Sequence, residues 1–188
     1  MMREYVEDYN EEIAEKKCWP EKKDKKGTKV AIACGQVCDD CVNVLECERK
    51  HQIASLEIDL KGFKEPVVKL DFSSIVAFRD IDLGFLAGVN AANASFTLKL
   101  FRVTNCCQKI CIGTFEYGRY YNDLAILEVG LFLAATRDSF SFTKCDHPTC
   151  EECVTYLVEV HDTTFDENFI TKLVLKQINF VALAVDEC

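Results

Sequence analysis

Twelve cysteines in a chain of 188 residues are the side chains best able to do chemistry here. They cluster as Cys34, Cys38, Cys41 and Cys47, then Cys106, Cys107 and Cys111, then Cys145, Cys150 and Cys153, with Cys18 and Cys188 alone towards the two ends. Two clusters contain a CxxC, and each encloses acids: Asp39 and Asp40 between Cys38 and Cys41, Glu151 and Glu152 between Cys150 and Cys153. A redox-active dithiol needs a depressed thiol pKa, and flanking carboxylates favour the neutral thiol instead. That argues against thioredoxin-type chemistry. Two CxxC pairs can also give four thiolates to one tetrahedral zinc, so Cys38, Cys41, Cys150 and Cys153 form an alternative metal site, with His147 as a substitute ligand. Such a site requires a fold that closes the long gap between the pairs. The leading reading makes all twelve cysteines candidates for structural or intersubunit disulfides. Cys106 and Cys107, if on a strand, point to opposite faces, so one is expected to reach outside the subunit. Cys18 and Cys188, tethered near the termini, are expected to do the same once copies are docked together. Twelve cysteines allow on the order of ten thousand pairings, so connectivity is not readable from spacing.

No other constellation suggests catalysis. The histidines are His51, His147 and His161; His161 precedes Asp162, and Ser55 or Ser73 would complete a triad, but neither serine sits in a strand-turn-helix elbow. There is no phosphate-cradling glycine loop, HExxH or EF-hand pattern. Asp71, Asp80 and Asp82 read as a solvated acidic face. The sequon at Asn93 matters only on export. No catalytic residue is assigned, no cofactor is expected outside the zinc alternative, and the chain is not expected to be an enzyme.

The elements that must position the thiols follow from patterning. Hydrophobic residues at 49% and aromatics at 11%, with 8 Gly and 3 Pro, can bury a core and exclude a disordered or collagen-like chain. Leu56, Ile58 and Leu60 alternate with acids; Val68, Leu70 and Phe72 alternate with Lys69 and Asp71; Phe96, Leu98 and Leu100 alternate with polar residues. Each run is a half-buried strand. Residues 124–135, 139–143, 154–161 and 170–185 are apolar or rich in branched and aromatic side chains, as strands inside a sandwich are. Turns are expected over residues 61–66, 80–93 and 162–168. No window keeps a helical repeat. Eight or so antiparallel strands predict an all-β fold, a two-sheet β-sandwich of jelly-roll type, over residues 30–188.

Residues 1–29 differ. Residues 1–15 carry one Arg against six acids, and residues 16–29 carry seven Lys against two acids, making a flexible arm with opposed charge. Tyr5, Tyr9 and Ile13 recur every four residues, and Trp19 is the only Trp; these are the expected docking contacts of the arm, since a side chain of that kind needs burial. The acidic start and the lack of a long apolar run predict neither a signal peptide nor a membrane span. A net charge of −9 makes a nucleic-acid partner unfavourable.

A signal-free start, a connector bearing a cysteine, one all-β domain with cysteines in its loops and a closing strand such as NFVALAV (residues 179–185) resemble the endospore appendage pilins of spore-forming Firmicutes. The stretch from Cys34 to Leu70, including CGQVCDDCVNVLECE, together with PVVKLDFSSIVAF, is also similar to a cysteine-rich family of Clostridia. The pilin resemblance implies jelly-roll subunits that stack into fibres on the spore surface, the connector of one docking on another, disulfides locking the homopolymer and Cys18 serving as the connector cysteine. Two other functions remain open on the residues: a zinc-binding module in the cytosol, and a jelly-roll binder of carbohydrate.

Overall fold

A computed structural model describes residues 29–39, 41–47, 50–79, 91–104, 108–122, 136–149, 153–165 and 172–186. They form ten strands: β1 (Val30–Cys34), β2 (Gln36–Val37), β3 (Cys41–Asn43), β4 (His51–Asp59), β5 (Pro66–Arg79), β6 (Ala91–Val103), β7 (Lys109–Asn122), β8 (Thr136–Asp146), β9 (Cys153–Phe165) and β10 (Lys172–Asp186). Among the described residues no helix is long and apolar enough to cross a membrane.

The first sheet runs β1-β10-β5-β8, with β3 continuing the β1 side of β10; the second runs β2-β4-β9-β6-β7. All pairings are antiparallel. Leaving aside β2 and β3, the order is two interleaved four-stranded sheets in which the first strand lies beside the last, which is the jelly-roll arrangement. The period-two alternation explains the layering: Val68, Leu70, Phe72, Phe180, Ala182 and Ala184 face inward from one sheet, and Leu56, Ile58, Phe96, Leu98, Val154 and Tyr156 from the other, in a single core. Rings cross the interface, with Phe96 edge-on to Phe140 at 5.6 Å. Near one rim, Arg102 of β6 donates to both carboxylate oxygens of Asp146 on β8 at 3.0 Å, and the Tyr156 hydroxyl donates to the same carboxylate at 2.9 Å.

Several elements differ from expectation. β7 was not anticipated, because Ile112 is an extra residue at a bulge opposite Leu100 and Phe101, and its inward side chains change from even to odd positions there. β9 shifts phase in the same way at His161, after which Phe165 packs inward. β6 begins at Ala91, inside the stretch expected to be a turn, while residues 61–65 do join β4 to β5, with Gly62 at φ +78°, a backbone conformation that favours glycine. The expected strand over residues 124–135, most of the arm, and Asp80 and Asp82 lie outside the described residues.

Candidate functional site

Seven cysteines are described, and the folding pattern places most of them on the two lateral flanks of the sandwich. One flank comprises β1, β2 and β3. Cys34 ends β1 opposite Val181, Cys38 follows β2, Cys41 opens β3 opposite Lys176, and all three are exposed. Cys47 is half-buried, donates to the Asn43 carbonyl at 3.3 Å, and has a thiol pKa raised by burial and by Glu46. The opposite flank is made by β7 and β8, outermost in their sheets among the described strands; Cys111 lies on β7 and Cys145 on β8, both exposed. Cys38, Cys41, Cys47, Cys111, Cys145 and Cys153 are free thiols in this structure.

Cys153 differs. It opens β9 opposite Asp59 and donates to Glu57 Oε1 at 2.8 Å. Burial, then the hydrogen bond and charge of Glu57, then Asp59, push its pKa up to about 11. It is held as a neutral thiol.

The zinc alternative is not assembled as expected. Gln52 Nε2 lies 4.0 Å from Cys38 Sγ, whereas Cys153 pairs with Asp59 at the other end of β4. At roughly 3.3 Å per residue, those ends are about 20 Å apart, while sulfurs on one zinc must each lie about 2.3 Å from it. One ion cannot take both CxxC pairs. Among the described residues no group of three or more His, Cys, Asp or Glu is placed to hold a metal. Cys18, Cys106, Cys107, Cys150 and Cys188 lie outside the described residues, as do Tyr5, Tyr9, Ile13 and Trp19.

The considered triad does not form either, since Ser73 belongs to β5 of one sheet and His161 to β9 of the other, and Ser55 on β4 is in register with Leu157, four residues along β9 from His161. His161 instead has Nε2 3.4 Å from Glu159 Oε2, on the outer face of the second sheet. Glu159 is also paired with Lys109, whose ammonium sits 4.2 Å from the Phe101 ring centre. This cluster was missed because only strand register brings Lys109, Phe101 and Glu159 together. It ties β6, β7 and β9 to one another and supplies no nucleophile.

The outer face of the first sheet carries a cross-strand aliphatic pair: Ile32 of β1 is 53% exposed and its register partner Leu183 of β10 is 38% exposed. Nearby, a groove opens at the β1/β2 flank, lined by Cys34, Gln36, Ser55, Leu56, Glu57 and Thr155.

The fold and flanks define an all-β, two-sheet jelly-roll protein with thiols along its edges. The chain belongs to the family described as domain of unknown function DUF4489, whose model matches residues 29–185. No curated protein matches the chain. A solved structure titled "CBM4 structure and function" is similar at 11% identity with a TM-score of 0.35, over 78% of this chain and 76% of that one.

Proposed function

We propose that this protein is a structural subunit that assembles with copies of itself, in a fibre or coat outside the cell such as the spore-surface appendages its sequence resembles, and is locked by intersubunit disulfides. The observation that carries the reading is the placement of exposed cysteines on both flanks of a rigid sandwich: Cys34, Cys38 and Cys41 on one, Cys111 and Cys145 on the other. A contact between unlike flanks is heterologous, and one whose rotation does not close propagates as a filament. It would set the thiols of one copy beside those of the next. Edge strands favour the same outcome, because their unpaired backbone groups accept a neighbouring strand. Each cross-link converts two thiols to one disulfide, and the two electrons and two protons pass to an oxidant such as oxidised glutathione, which leaves as two thiols.

The test is electron microscopy of the purified full chain, reduced and then oxidised with glutathione disulfide, beside non-reducing and reducing gels and a zinc assay. Fibres and a ladder that collapses with reductant support the reading. A persistent monomer, with or without stoichiometric zinc, overturns it.

A further inference from the structure

We propose that the edge of β4 from Leu56 to Asp59 is a docking slot for the lysine-rich segment, residues 16–28, of a neighbouring copy. This rests on the assembly reading and names one of its contacts. On one side β4 is paired with β9 along almost its whole length, from His51 to Asp59. On the other side β2 pairs only with Ala54 and Ser55. The cause is Gly35, where the chain changes sheets: its N–H donates to the Phe180 carbonyl of the first sheet at 2.6 Å, so the residues that would have continued β2 along β4 instead form β1. Among the described residues no strand pairs with that side of Leu56 to Asp59. The groove lined by Cys34, Gln36, Ser55, Leu56, Glu57 and Thr155 lies at this gap.

A half-covered strand edge of this kind accepts an extended segment through its backbone, and the side chains beside it choose which segment. Here those side chains are acidic. Glu57 and Asp59 are both exposed on β4. Residues 16–28 carry six Lys against two acids, so that segment has the complementary charge to steer it there. Chain length is sufficient: Trp19, ten residues before Lys29, can lie roughly 33 Å from it when the chain is extended. Lys29 still follows the line of β1, its carbonyl accepting from the Asp186 N–H at 3.4 Å. The assembly reading assigns the occupant to a neighbouring copy.

The experiment mixes two forms of the full chain under reducing conditions. One is unlabelled and carries the photo-cross-linking residue benzoylphenylalanine in place of Trp19 or, in a second preparation, Lys22; the other is nitrogen-15 labelled. After illumination, mass spectrometry should find light-to-heavy cross-links on residues 55–59. Glu57→Lys in the heavy chain should lower their yield about 5-fold or more, while Glu116→Lys, the same charge change on β7, should leave it unaltered. Cross-links confined to one chain, cross-links placed elsewhere, or equal effects of the two reversals overturn the slot. Fibres without cross-links at 55–59 would sink the slot and leave the assembly reading standing. Heavy chain tagged at 55–59 in a protein that never polymerises would do the reverse.

Discussion

Phe142 of β8 lies parallel to Phe115 of β7 with ring centres 3.7 Å apart, although the two strands belong to different sheets. Phe142 also stacks on Phe72 of β5, its register partner, at 4.9 Å. One ring therefore joins its own sheet to the facing one at the flank that carries Cys111 and Cys145. Phe142→Ala should destabilise the protein by about 3–5 kcal/mol, the usual cost of emptying an aromatic core site. Urea unfolding under reducing conditions checks this. A loss below about 1 kcal/mol would mean that the flank is not held by this stack.

Gly35 is set by sterics where the chain changes sheets. A Cβ there would lie 2.9 Å from both the Phe180 and Ser55 carbonyl oxygens, and neither belongs to a side chain that can swing away. Gly35→Ala should cost about 1–3 kcal/mol by overpacking. It should also shift amide signals on both sheets, at Ser55 and at Phe180. Wild-type stability in this variant would show that the crossing is looser than described.

Several of the main strands and their inward faces were legible because alternation is the direct consequence of one buried and one solvated face, as Leu56, Ile58 and Leu60 or Val68, Leu70 and Phe72 show. β7 was not, since the bulge at Ile112 puts its inner residues out of phase, and a period-two reading sees no strand there. The candidate site was legible in kind but not in arrangement. Cysteine spacing marked the thiols, yet only register reveals that Cys38 and Cys153 lie at opposite ends of β4, which separates the two CxxC pairs. The open edge of β4 left no trace in residue types, because it results from a backbone crossing at one glycine. The Glu159 and Lys109 pair is likewise a product of register, joining residues 50 apart in sequence.

The ion pair of Arg102 with Asp146 spans the sheets with little solvent, their side chains being 16% and 11% exposed. Removing one partner of such a pair strands the other charge. Asp146→Ala should therefore destabilise by about 3–5 kcal/mol. Arg102→Met with Asp146→Leu should recover much of that loss, since replacing both charges leaves neither buried alone. Chemical denaturation of the two variants is the measurement, and a double variant as unstable as the single one would count against the account.

Acid should loosen the β7/β8 flank specifically. The Tyr117 hydroxyl donates to Asp138 Oδ2 at 2.5 Å, and Arg119 pairs with the same carboxylate. The Tyr117 bond first, and then Arg119, hold the Asp138 pKa below its ordinary 3.8. A carboxyl depressed on folding adds stability that is fully present above its unfolded pKa and is lost as the pH falls through its folded one. The stability difference between wild type and Asp138→Asn should thus be constant near neutrality, begin to shrink as the pH drops through about 4, and vanish at lower pH. Paired denaturation curves at pH 7, 4 and 2.5 would show this. A difference that persists unchanged into acid would assign the variant's effect to packing.

Cys153 should be the slowest of the exposed-edge thiols to react, in spite of its position at a strand end. With its pKa pushed up from 9.0 to about 11, roughly one molecule in a thousand carries the thiolate at pH 8, against about one in eleven for an unperturbed cysteine. Iodoacetamide should alkylate it about 100-fold more slowly than such a cysteine. Burial is the largest cause and Glu57 the next, so Glu57→Gln should raise the rate without bringing it to that of a fully solvated thiol. In the proposed assembly this sets an order of events: the exposed flank cysteines are oxidised before Cys153. Alkylation of the full chain followed by peptide mapping, with and without Glu57→Gln, reads both rates. Equal labelling of Cys153 and Cys145 in the wild type would remove this order.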